Sequence, residues 1–265
     1  MNKSGLGFQF RYVSQTTDNR QQRTDIRQHI LMKNLLLLLF TISLLSFKSS
    51  TPADPATYLN DLKKELKIEW PKNRTINLVF HGHSVPAGYF KTPVVNTLEA
   101  YPYQVLRELK AEYPFAVVNI INTSIGGENS VSGAKRFESE VLVHRPDVLF
   151  IDYALNDRSV GLDKAREAWE MMIQMALKKG IKVILLTPSP DQRVNILEPN
   201  NELEQHSRQI KALSEKYSLG LVDSYDLFRQ KVVNGESIVN YMSQVNHPNE
   251  NGHALIAGGL MRYFK

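Results

Sequence analysis

The chain has 265 residues, 42% hydrophobic and 22% charged, which suits one sizeable α/β domain with an ordinary core. It contains no cysteine, so disulfides, thiolate nucleophiles and Cys-ligated metals are excluded together. The net charge of +5 lies in residues 1–50, which carry seven basic and two acidic residues; positions 51–265 are balanced, which argues against nucleic-acid binding.

Residues 1–31 are polar, rich in Gln, Arg and Thr, and show no hydrophobic period. They read as an extension outside the fold, with Met32 as the expected true start of the protein. Residues 32–50 have a Lys33-bearing start, an apolar run of about a dozen residues from Leu35, and a small-residue exit near Ser49 to Ala53. That is the pattern of a secretory signal peptide. The run is short for a membrane span, which needs about 20 apolar residues, and no Cys comes after it to take a lipoprotein anchor. The expected mature protein is exported to the periplasm or the outside, with no stable membrane insertion.

Residues 51–74 read as a leader and then a short helix over Tyr58 to Lys67, and residues 75–265 as the main folded domain. Thr75 to Phe80 is an apolar run ending in His81-Gly82-His83-Ser84, a strand entering a turn. Leu98 to Tyr113 has helical spacing. Ala116 to Ile121 is a second strand run, closing on Asn122-Thr-Ser-Ile-Gly-Gly127. Ser132 to Val143 reads as a helix, and Val148 to Tyr153 as a third strand, with Leu155-Asn156-Asp157 after it. A helix over Lys164 to Lys179, a strand over Ile181 to Leu186, a helix over Leu203 to Tyr217, a strand over Leu219 to Val222 and a last helix over Asn251 to Phe264 complete the pattern. Continuously apolar strands alternating with helices imply a parallel sheet covered on both faces, hence a three-layer α/β/α sandwich.

Ligands of such sheets bind beyond the carboxyl ends of the strands. That rule collects Gly82–Ser84, Gly126–Asn129, Asn156–Arg158, Pro188–Pro190 and the late loop with His247; the loop Pro188 to Asn201, with Asp191, Arg193 and Asn195, reads as a polar rim beside them. A serine hydroxyl needs a base in contact to act as a nucleophile. A backbone N–H at Gly127 and the Asn156 amide are donors of the kind that hold an oxyanion. Singly, each residue also reads as an ordinary turn or cap; only their order and placement together point to a site.

Four blocks then resemble the SGNH/GDSL hydrolase superfamily: Gly82-His83-Ser84, Asn122 to Gly127, Tyr153-Ala154-Leu155-Asn156-Asp157, and Asn246-His247-Pro248-Asn249 with Gly252-His253. The resemblance implies a flavodoxin-like sandwich and ester hydrolysis through an acyl-serine. Ser84 would be the nucleophile and His247 the base. The Ser84 and Gly127 N–H groups and the Asn156 amide would form the oxyanion hole, with no metal or organic cofactor.

Gln244 stands where that family has an Asp three residues before the histidine. Three readings stay open: a Ser–His dyad with Gln244 or a backbone carbonyl orienting His247, a carboxylate from elsewhere (Asp223, Asp226 or Glu250), or impaired catalysis. His83 replaces another family Asp and reads as support for the loop or as a substrate contact. His81 and His83, with His247 or His253, raise a metal reading that lacks a carboxylate. The expected substrate is a small-molecule or polysaccharide ester, a carbohydrate acetyl ester above all. A fold-retaining binding protein and a lipid-directed lysophospholipase or thioesterase are the alternatives. The oligomeric state has no signature in the sequence.

Overall fold

A computed structural model describes residues 51–265, together with Arg27 and residues 31–33 near the start of the chain. The rest of the expected extension and signal peptide lies outside the described residues. No helix among the described residues is long and apolar enough to cross a membrane.

Five strands form one sheet: β1 (Thr75–Gly82), β2 (Val117–Asn122), β3 (Val148–Asp152), β4 (Lys182–Leu186) and β5 (Gly220–Val222), in the order β2-β1-β3-β4-β5. Every pairing is parallel. All five carboxyl ends therefore lie along one edge. The order reverses between β2 and β3 around β1, which makes the exit of β1 a topological switch point.

Residue parity divides the core. Leu78, Phe80, Val148, Phe150, Ile184 and Leu186 face one cluster. Val79, Leu149, Ile151, Val183 and Leu185 face the other. Both faces of the central strands are covered, so those strands read as unbroken apolar runs rather than as alternation. The first face packs against α1 (Asn60–Leu66), α3 (Tyr101–Glu112), α7 (Ser224–Val233) and α8 (Glu250–Met261). The second packs against α4 (Ser130–Glu140), α5 (Leu162–Lys178) and α6 (Glu202–Tyr217). Phe80 and Phe150 stack across neighbouring strands with centroids 4.3 Å apart.

The expected three-layer α/β/α sandwich is therefore the observed fold. The segment before β1 is built into it. Ala53 N–H donates to Leu219 O, the Tyr58 hydroxyl donates to Val183 O, and Leu59, Leu62 and Leu66 are buried.

Two elements have no clear sequence signal. Helix α7 is short and mixed in composition, and it is started by Asp223, whose side chain accepts from Asp226 N–H. A two-stranded hairpin, β6 (Met242–Gln244) with β7 (His247–Pro248), is too short for any period to show. That hairpin pairs Gln244 with His247.

Candidate active site

The segment that carries Ser84 leaves β1 at Gly82. A Cβ there would run into the Asp152 carbonyl and the Pro86 ring, so only glycine lets the chain turn this closely against β3. A single helical turn, α2 (Ser84–Ala87), comes next. His83 caps it, its Nδ1 accepting Val85 N–H at 3.2 Å. Because Nδ1 accepts, the ring proton is on Nε2, which faces Asp152 Oδ1 at 3.4 Å. The other Asp152 oxygen accepts from the Tyr101 hydroxyl at 3.0 Å. His83, Asp152 and Tyr101 are all buried. The imidazole thus does the capping work an Asp would do at this position, in keeping with a loop-supporting role.

His247 reaches Ser84 across the switch point. Its Nε2 is 2.9 Å from Ser84 Oγ. Its Nδ1 is 3.0 Å from the Phe90 carbonyl and 2.5 Å from Gln244 Nε2. The Gln244 amide is oriented by a backbone donor: Thr92 N–H needs an acceptor and takes Oε1 at 3.1 Å. The amide nitrogen is left facing the imidazole. Gln244 therefore ties down the 88–96 loop that carries the Phe90 carbonyl. The Phe90 ring stacks on buried His253 at 5.1 Å, which holds the same loop from the other side. Burial pulls the His247 pKa below 6.5, partly opposed by the bond to the Phe90 carbonyl.

None of the three carboxylates that could have oriented His247 bonds to it among the described residues. Asp223 binds the Thr187 hydroxyl and Lys211, and Asp226 binds Arg229. The Glu250 side chain makes no hydrogen bond to His247.

The β2 loop is bonded to the Ser84 segment. Ile125 N–H donates to Gly82 O and Asn122 Nδ2 donates to Pro86 O. Gly127 comes two residues later with φ +78°, a left-handed conformation that suits glycine. Among the described residues, neither Gly127 N–H nor Ser84 N–H has a hydrogen-bond acceptor. Asn156 Nδ2 donates one hydrogen to Glu128 O at 2.9 Å, which brings the third loop against the second. Its second hydrogen has no acceptor among the described residues.

Beneath that junction, Glu128 is gripped by Arg136 at 2.5 Å and by the Tyr153 hydroxyl at 2.7 Å. Asp157 is buried and accepts from Ser130 N–H at 2.8 Å and Trp169 Nε1 at 2.7 Å. It pins the Asn156 turn to α4 and α5. The sequence signals only a turn or cap at Asp157; its burial depends on Trp169, twelve positions away.

The other two histidines of the metal reading, His81 and His253, are turned to separate partners. His81 Nδ1 meets the Thr123 hydroxyl at 2.9 Å, and burial holds its pKa at about 3. His253 accepts Tyr101 N–H through Nδ1 at 3.2 Å, and burial likewise holds its pKa at about 3. Both stay neutral and serve packing.

The GDSL-like lipase/acylhydrolase family model matches residues 80–255. The chain belongs to this family. The matched stretch contains Ser84, Gly127, Asn156, Gln244 and His247, and the resemblance to SGNH/GDSL hydrolases read from the four blocks is borne out. Among solved structures, a two-domain esterase active on acetylated mannans aligns with a TM-score of 0.63 at 24% identity, over 78% of this chain and 52% of that one. Axe2, an acetylxylan esterase from Geobacillus stearothermophilus, aligns with a TM-score of 0.63 at 22% identity, over 75% of this chain and 96% of that one. In sequence, an uncharacterised lipoprotein, YqeF, of Bacillus subtilis is 33% identical over 81 residues, 28% of this chain and 33% of that protein. The chain thus spans about half of the mannan esterase and a third of the lipoprotein. The two structural likenesses carry the fold; the family match carries the hydrolase class.

Proposed function

We propose that this family member is an exported serine esterase that removes small acyl groups, acetyl above all, from carbohydrates through a Ser84–His247 dyad. The observation that carries the reading is the 2.9 Å contact between Ser84 Oγ and His247 Nε2, with Nδ1 facing the Phe90 carbonyl. A proton on Nδ1, donated to Phe90 O, leaves Nε2 free to accept the serine proton. Ser84 Oγ then attacks the ester carbonyl. The Ser84 and Gly127 N–H groups and the unused Asn156 hydrogen receive the oxyanion. His247 passes its proton to the departing alcohol, takes one from water, and the acyl-serine is hydrolysed. Carbohydrate specificity is supported by the structural likeness to esterases named for acetylated mannan and xylan. Export is supported by the pattern at 32–50 and by the lipoprotein naming of the YqeF relative.

The test is hydrolysis of p-nitrophenyl esters from C2 to C12, together with labelling by a fluorophosphonate. Acetate is expected to be the best substrate, with Ser84 labelled. No turnover and no labelling would leave a binding protein; a preference for C8 or longer would leave the lipid-directed reading.

Gln244 bears on how fast the dyad works. Its NH₂ is a hydrogen-bond donor aimed at Nδ1. It satisfies the tautomer with the proton on Nε2, which cannot take a proton from Ser84. The Phe90 carbonyl satisfies the competent one. Gln244→Glu keeps an acceptor for Thr92 N–H and places a second acceptor at Nδ1. We expect kcat at pH 8 to rise about threefold to tenfold, the ratio that a hydrogen bond of roughly 1 kcal/mol imposes on two tautomers. The base must be neutral, so activity is lost as pH falls through the His247 pKa, which lies below 6.5. A carboxylate favours the imidazolium and raises that pKa, so the acid limb of kcat/KM should move up by about one unit. An unmoved limb and an unchanged kcat would refute this role for Gln244.

A further inference from the structure

Beside Asn156 and Asn246 lies a groove of about 550 Å³, walled by Arg158, Arg193 and Glu202. It touches both halves of the candidate site, because Asn156 is the side-chain oxyanion donor and Asn246 precedes the base. Its walls are fixed to that site. Arg158 Nε donates to Leu155 O at 2.9 Å, folding the side chain back over the Asn156 turn. Gln192 N–H donates to Val245 O at 2.8 Å, and Gln192 Nε2 to Gln244 O at 3.1 Å. Those bonds join the loop after β4 to the loop that carries His247.

The polar groups are organised around Asp191, whose side chain is buried. It accepts from Arg158 Nη2 at 2.7 Å, and from Arg193 Nε at 3.0 Å and Nη2 at 2.6 Å. Burial raises its pKa, but the hydrogen bonds from Arg193 and Arg158 outweigh that and hold it at about 2. Arg158 Nη1 meets Glu202 Oε1 at 2.5 Å. Three groups remain uncommitted among the described residues: Arg193 Nη1, Glu202 Oε2 and the Asn246 amide. The first only donates, the second only accepts, and the third does both.

Two guanidiniums meet two carboxylates here, so the groove has no net charge with which to select an anion. Its polar lining is a poor match for an acyl chain. Hydroxyl groups both donate and accept, and neighbouring hydroxyls on one ring match a donor and an acceptor held side by side. We propose that this groove is the alcohol-side subsite, binding a neutral polyhydroxylated leaving group through Arg193, Glu202 and Asn246. The assignment rests on the ester-hydrolase reading only for which product the groove holds. Sugar binding itself can be measured without turnover.

The experiment compares wild type with Arg193→Gln and Glu202→Gln, both at exposed side chains. The probes are methyl 2-O-acetyl-β-xyloside, whose other hydroxyls are free, ethyl acetate, and the equivalent monoacetylated methyl glucuronoside. Wild type should prefer the neutral xyloside, and each variant should lower the xyloside-to-ethyl-acetate ratio of kcat/KM about tenfold, the scale of a hydrogen bond to a charged group. An unchanged ratio in both variants, or a glucuronoside preferred over the xyloside, overturns the assignment. Titration of methyl β-xyloside into the protein, monitored by NMR, separates this proposal from the catalytic one. Binding that the two variants weaken supports the groove even if no ester is turned over. An absence of binding to wild type overturns it even if esters are cleaved.

Discussion

Ser84→Ala is expected to lower kcat for p-nitrophenyl acetate by at least about a thousandfold, with the fold unchanged. The expected loss is large because the proposed step through the acyl-serine disappears, leaving only His247-assisted attack by water beside the proposed oxyanion donors. The fold survives because Ser84 Oγ has His247 Nε2 as its hydrogen-bond partner, and losing one such bond costs about 1 kcal/mol. The capping of α2 depends on His83, not on the serine. His247→Ala should cost about as much, and the double variant little more than either, since two groups that act as a unit do not add. The measurement is steady-state kinetics with circular dichroism on each variant. A Ser84→Ala protein that keeps a tenth of the wild-type rate would remove Ser84 as the nucleophile.

The fold and the placement of the site are legible in the sequence because one rule covers both. Strands buried on two faces show as unbroken apolar runs, and in a parallel sheet every such run ends at the same edge. That rule places Ser84, Gly127, Asn156 and the loop after β4, and the geometry brings those loops together through bonds such as Asn156 to Glu128 O and Ile125 N–H to Gly82 O. The features that stay hidden depend on contacts distant in sequence. The Phe90 carbonyl is a backbone group, and no residue type marks it. Its position is set by Gln244, 152 positions from its bonding partner Thr92, and by the stack on His253. The sequence pattern puts Gln244 at the triad position. Which amide atom faces the imidazole depends on the Thr92 N–H, whose need for an acceptor claims Oε1. Asp191 reads from sequence as part of a polar rim, but its burial under two guanidiniums appears only when the β4 loop folds against Arg158.

Asn156→Ala separates the oxyanion reading from a merely structural one. Two of the three proposed donors are backbone groups that substitution barely alters, so Asn156 is the proposed donor that mutation can remove. Preorganised donors act where charge develops, in a site screened from water, and deleting one costs about 10²–10³ in kcat. We expect a fall of that size in kcat, with KM changed by less than about threefold, because the charge it meets is absent from the bound ester. The side chain also holds Glu128 O, so stability should drop by about 1 kcal/mol. Glu128 itself stays anchored by Arg136 and Tyr153, and Asp157 still fixes the turn through Ser130 and Trp169. The loop therefore keeps its course in the variant, and a catalytic loss can be assigned to the missing donor. If Asn156 served only to join the two loops, the variant would instead raise KM and lower Tm while kcat stayed within about threefold of wild type.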